Sequence, residues 1–110
     1  MKCKLYDSEY TLEFKKGNYL NNGNLAVVIM AMETGEEYYE PFGNLTVNLG
    51  VKLDDNVAFV DSNNCPSIVI QKLLEKGWII PTGICQQSGF CVYQAYEFTE
   101  EFLESMETIL

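Results

Sequence analysis

The sequence predicts an α+β domain: a mainly antiparallel β-sheet of about five to seven strands with two α-helices, about residues 66–76 and 100–109. Three observations carry this. Tyr10, Leu12 and Phe14 alternate with Thr11, Glu13 and Lys15, the period of a half-buried strand. Leu25 to Met32 is an unbroken apolar run, of strand length and far short of the ~20 residues that a membrane span needs. Two later segments carry apolar stripes at helical spacing, each bounded by residues that start or stop helices.

The elements follow in order. Residues 2–6 and 9–15 read as two short strands about an Asp7-Ser8 turn. Asn22-Gly23 accepts the positive φ of a tight turn and announces a hairpin. The strand after it, Asn24 to Glu33, is nearly all apolar and therefore central in the sheet. Thr34-Gly35 turns the chain, and Glu36, Glu37 and Glu40 with Tyr38 and Tyr39 make an acidic, aromatic approach to the next strand. In NLTVNLG, Leu45, Val47 and Leu49 face one way and Asn44, Thr46 and Asn48 the other. Val57 to Val60 is a short strand after the turn Leu53 to Asn56.

Pro66 to Lys76 reads as a helix with Ile68, Val69, Leu73 and Leu74 on its apolar stripe. Pro at its start and Gly77 just beyond its end match the asymmetry of helix termini, and Trp78 is placed to pack back on Leu73. Asn64 or Cys65 is the expected cap. Residues 81–89, PTGICQQSG, read as a loop, and Phe90 to Phe98 as a late strand. Thr99 is the expected N-cap of the last helix, stapled by Phe98 and Leu103. That helix buries Phe102, Leu103, Met106, Ile109 and Leu110 and leaves Glu100, Glu101, Glu104 and Glu107 on one exposed face.

The chain of 110 residues fits one domain, 1–110. Its strongest global property is charge: 16 acidic residues against seven Lys, no Arg, and a net charge of −9. Nucleic-acid binding neutralises phosphates and reads bases with Arg forks, so this composition argues against direct nucleic-acid contact. The same field attracts a basic protein surface; an acidic surface also keeps chains apart in solution, a reading that needs no partner. The sequence has no His, which removes the usual general base near neutral pH and excludes Ser-His-Asp and Cys-His arrangements within the chain. Met1 to Tyr10 holds no apolar signal region, so the expected compartment is the cytoplasm, with no membrane attachment.

The cysteines Cys3, Cys65, Cys85 and Cys91 form no C-x-x-C pair, and four free, mostly buried thiols are the expectation, against a zinc site or a Cys85–Cys91 disulfide. Asp54, Asp55 and Asp61 lack the Gly and distal Glu of a calcium loop. Cys65 near Asp61, in AFVDSNNCP, has the composition of a nucleophile with its orienter but lacks a base. No cofactor, metal site or catalytic residue is expected. The acidic runs remain: Glu33, Glu36, Glu37 and Glu40 with Tyr38 and Tyr39, and Glu97, Glu100, Glu101, Glu104 and Glu107. They are either a solvated face or a surface that imitates a nucleic-acid backbone for a basic groove.

The segments EYTLEFKKGNYLNNGNLAV, NLTVNL, AFVDSNNCP and SGFCVY together resemble a family of small bacterial proteins known as a domain of unknown function, number 4313. The resemblance implies carriage on conjugative elements, plasmids and phages; it transfers no catalytic residue. Small acidic proteins on such elements are often inhibitors of host defence, so the resemblance and the charge together imply an anti-CRISPR-type inhibitor. Its partner would be a basic protein, a Cas nuclease foremost, met by the chain as a monomer or small homo-oligomer. The alternatives are an accessory binding module of a mobile element with another partner and, more remotely, a Cys- or metal-dependent enzyme.

Overall fold

The computed structural model describes residues 1–109. Their order is β1 (Lys2–Leu5), β2 (Ser8–Asn18), β3 (Leu25–Glu33), β4 (Glu40–Asn44), β5 (Thr46–Val47), β6 (Val57–Val60), α1 (Ser67–Glu75), β7 (Ile79–Ser88), β8 (Cys91–Phe98), α2 (Glu100–Glu104) and β9 (Glu107–Thr108). The class is α+β as the sequence predicts, with more strands than expected, two of them only two residues long. They form two sheets rather than one. The first has the order β1-β2-β3-β4 with β9 added on β2; the second has the order β5-β6-β8-β7. All pairings are antiparallel except β2–β9.

The main core lies between the sheets and the helices. The first sheet supplies Leu12, Phe14, Val27 and Ile29; the second supplies Ala58, Val60, Ile79 and Phe98; α1 supplies Val69 and Leu73. Period-two alternation explains β3: odd residues Leu25 to Ala31 are buried, and even residues Ala26 to Met32 are half-buried on the other face. All four residues of β6 are buried, because its second face meets a smaller cluster of Val57, Phe59, Tyr93 and Ala95. Phe102 joins the aromatic residues of the main core, with ring centroids 4.9 Å from Trp78, 5.2 Å from Phe14 and 5.7 Å from Phe98.

The two sheets are joined at a corner that the sequence pattern does not announce. NLTVNLG is not one strand: Leu45 separates β4 from β5 and lies fully buried in the main core. Its N–H donates to the Val27 carbonyl at 2.9 Å, and its carbonyl accepts from the Asp61 N–H at 2.8 Å, so one residue ties both sheets together. Thr46, only 2% exposed, accepts the Val27 N–H on its hydroxyl at 3.0 Å and shares a 2.9 Å bond with the Tyr19 hydroxyl.

Three further expectations are corrected. The segment 81–89 is strand rather than loop. Pro81 is tolerated because β7 is an edge strand, where a missing N–H costs no ladder bond, and a register shift between Pro81 and Cys85 absorbs Gly83 at φ 82°. The last helix ends at Glu104 rather than 109. Ser105 turns its hydroxyl back to the Phe102 carbonyl at 2.6 Å, and the chain then runs beside β2, where the Ile109 N–H donates to the Lys16 carbonyl at 2.7 Å. Ile109 is therefore exposed, and Leu110 lies outside the described residues. Helix α1 matches the expected span within a residue at each end, but Pro66 is its N-cap and no side chain caps it. The far end behaves as read: Gly77 at φ 70° donates to Leu74, and Trp78 donates to Leu73, the paired bonds of a Schellman stop. Thr99 caps α2 by accepting the Phe102 N–H at 3.3 Å.

The corner makes a stability prediction. Thr46→Val keeps the shape but leaves the Val27 N–H buried without its acceptor, and should cost about 1–3 kcal/mol in denaturant unfolding. Thr46→Ser keeps the hydroxyl and should recover most of that loss.

Candidate protein-binding surface

Strand β2 sets the spacing of the two acidic runs. Its Tyr10 pairs with Glu33 and its Lys15 with Glu107. At strand rise, those rungs are about 17 Å apart. The runs are therefore two separate patches, not one cluster. The first spans the β3–β4 connection and the first residue of β4: Glu36, Glu37, Tyr38 and Glu40 are exposed and Tyr39 is half-buried. Burial pushes the Tyr39 hydroxyl above its ordinary range, and the nearby Glu13 charge adds to the effect. Glu13, on β2, is thus an acidic neighbour of this patch that the sequence separates from it by some two dozen residues.

The second patch is built by the end of β8 and by α2. Glu97, Glu100, Glu101 and Glu104 are all exposed. Glu100 and Glu101 occupy the first turn of α2, where the helix dipole favours negative charge. Glu107 does not share the face of that helix: it belongs to β9, and its carboxylate lies 3.7 Å from the Lys15 ammonium. This is the one ion pair among the described residues, and its exposure keeps its contribution small. Lys15 is remote in sequence from Glu107 and became its partner only through the β2–β9 pairing, which no local pattern encodes. Among the described residues, the other carboxylates of the two runs meet no cation.

The run AFVDSNNCP is a turn that closes the second sheet onto α1. The Asp61 carboxylate accepts the Asn64 N–H at 3.2 Å and the Asn64 side-chain amide at 3.0 Å, while the Asp61 carbonyl accepts the Cys65 N–H at 2.8 Å. The carboxylate is thereby occupied in holding its own turn. Cys65 is buried, and its thiol faces the Pro66 carbonyl at 3.7 Å. Burial pushes that thiol up to about 12, with the Asp61 charge acting in the same direction. A thiol held protonated in this way is a poor nucleophile at neutral pH. A cleft of about 270 Å³ lies beside it, lined by Phe42, Asn44, Asp61 and Cys65 among others. A second, of about 250 Å³, opens at the outer edge of β2 between Met1 and Glu107, with Trp78 and Phe14 in its wall. Among the described residues, no three His, Cys, Asp or Glu side chains converge as a metal site would require. No helix among them is long and apolar enough to cross a membrane.

The geometry thus defines a small two-sheet α+β domain whose distinctive surface is unpaired carboxylate. By sequence the chain belongs to the family called domain of unknown function DUF4313, whose model matches residues 11–108. No curated protein and no solved structure matches the chain.

The cysteines are free thiols of unequal access: Cys85 is exposed, Cys91 half-buried, and Cys3 and Cys65 buried. Iodoacetamide on the native protein, read by peptide mass spectrometry, should label Cys85 first, Cys91 more slowly, and Cys3 and Cys65 only on unfolding. Cys65 also carries a pH dependence. Its folded pKa lies above the ordinary 9.0, so the folded chain holds the proton more tightly. Its contribution is intact below about pH 9 and is lost as pH rises toward 12. Cys65→Ala should lower stability at pH 7 yet flatten the alkaline decline, by up to about 1 kcal/mol per pH unit. Chemical denaturation from neutral to alkaline pH measures both.

Proposed function

We propose that this chain is a non-catalytic protein that binds a basic surface of another protein. Its partner class is a bacterial defence nuclease, a CRISPR effector foremost, whose nucleic-acid channel the acidic patches would occupy. The observation that carries this reading is the set of exposed carboxylates at Glu97, Glu100, Glu101 and Glu104, none of which meets a cation among the described residues. Glu36, Glu37 and Glu40 with Tyr38 and Tyr39 form a second contact point, and Glu107 is a weaker contributor because Lys15 already screens it. Two separate acidic patches suit a groove that binds an extended polyanion better than a point site. The mobile-element setting implied by the family resemblance supports a target in host defence, met in the cytoplasm. The missing His and the protonated Cys65 support a role without chemistry. The second reading is an accessory module of a conjugative element or phage that uses the same patches on a different basic partner.

The test is a cleavage assay with a panel of purified Cas nucleases. Inhibition at molar excess is expected, relieved by added salt and weakened by combined Glu100→Gln, Glu101→Gln and Glu104→Gln. These side chains are exposed, so the fold should survive. Inhibition that ignores both salt and the triple variant would overturn the acidic-groove mechanism. No inhibition across the panel, with pull-down recovering a basic protein that is not a nuclease, would favour the accessory module.

A further inference from the structure

We infer that the outer half of the β7–β8 hairpin is a self-association surface, on which a second copy of this chain pairs edge to edge with β7.

The sequence from Gly77 to Tyr96 contains no charged residue, in a chain with 23 charged residues among 110. The structure turns this neutral stretch into a hairpin and leaves most of it in solvent. Every residue of β7 after Ile79 is exposed. So are Val92 on β8 and Phe90 at the tip, the latter at 107%. Ile80, Ile84, Phe90 and Val92 are exposed apolar side chains among neutral polar ones, and a cluster of exposed apolar groups on a small domain marks an interaction site.

Main-chain geometry makes the strand receptive. A two-residue turn, Gly89-Phe90, joins Ser88 to Cys91. Alternation from that closing pair hydrogen-bonds Ser88 and Gln86 to β8 and turns the main-chain groups of Cys85 and Gln87 outward. The Gln87 carbonyl accordingly lies outside the ladder and is met only by the neighbouring Gln86 amide, at 3.2 Å on the exposed surface. Two copies placed antiparallel about Gln86 set Cys85 of each opposite Gln87 of the other, with outward donors facing outward acceptors.

The other sheet edges are guarded. β1 carries the exposed Lys2 and Lys4; β4 carries Glu40, Pro41 and a register shift; β5 and β9 are two residues long. These are the devices by which edge strands resist pairing. On β7 they stop at its base, with Pro81 and the irregularity before Cys85, and none occurs from Cys85 to Ser88. Charge selects the occupant. A basic partner is drawn to the carboxylates, whereas a second chain of charge −9 is repelled by them and can approach closely only at a neutral surface. Salt separates the two: it screens repulsion between copies and so tightens self-association, while it loosens attachment of a basic partner.

Sedimentation equilibrium of the full chain tests this, across concentration and from about 0.05 to about 0.5 M sodium chloride. A concentration-dependent dimer is expected, tighter at high salt. Gln87→Pro removes an outward N–H without breaking a β7–β8 bond, and Phe90→Ser removes the apolar tip. Each should weaken the dimer at least about tenfold while leaving the circular dichroism and the melting temperature nearly unchanged. The combined Glu100, Glu101 and Glu104 substitutions to Gln should not weaken it. A monomer at all concentrations and salts would overturn the inference. So would a dimer that salt dissociates, or one that both hairpin variants leave intact.

Discussion

The structure depends on the corner at Leu45 and Thr46. Two sheets with separate ladders need a covalent and hydrogen-bonded joint, and here two consecutive residues provide it. The Leu45 main chain bonds to Val27 in one sheet and to Asp61 beside the other. The Thr46 hydroxyl then satisfies the Val27 N–H, which β4 has ceased to reach at this rung. A buried donor without an acceptor would cost more than the bond itself contributes, so the position requires a hydroxyl of this size. The Asp61 turn lies one step further along the same path: it leaves β6, receives Leu45, and directs the chain into α1. The residues that resemble an active site by composition thus complete this joint.

Legibility in the sequence followed the range of the interactions. Strands β2, β3 and β6, helix α1 with its Gly77 stop, and the Thr99 cap were readable because their signals are local: alternation, helical spacing and caps. What failed was decided across the chain. Pro81 and Gly83 read as loop residues, yet the edge position of β7 accommodates both. The stripe Phe102, Leu103 and Met106 reads as the start of a long helix, yet the free outer edge of β2 captures the following residues as a strand. The division of NLTVNLG between two sheets has no local signal, because its alternation persists while its partners change.

The acidic surface was legible as composition but not as geometry. Sequence spacing groups Glu100 to Glu107 on one helix face; the structure removes Glu107 to a strand and gives it Lys15. It also sets Glu13 beside Tyr39, which only the sheet can do. The result is a molecule with two distinct kinds of surface: patches of unpaired carboxylate, and a hairpin with no charge. The two uses proposed for them would respond to salt in opposite directions, so a single physical variable would separate them.

The parallel pairing of β9 with β2 has a consequence for biosynthesis. During translation β2 and β3 leave the ribosome one after the other and can form their hairpin from local contacts. The Lys15–Lys16 portion of the outer edge of β2 must then wait for residues 107–108, far later in the chain. Long-range pairings of this kind form late. In the interval an unpaired edge is open to nascent neighbours, and this one carries two consecutive lysines, the residues that discourage such contacts. When β9 arrives, Lys15 faces Glu107 and the Lys16 ammonium binds the Leu103 carbonyl at 2.8 Å. The two lysines that would discourage contacts at an open edge thus also fasten the segment that closes it.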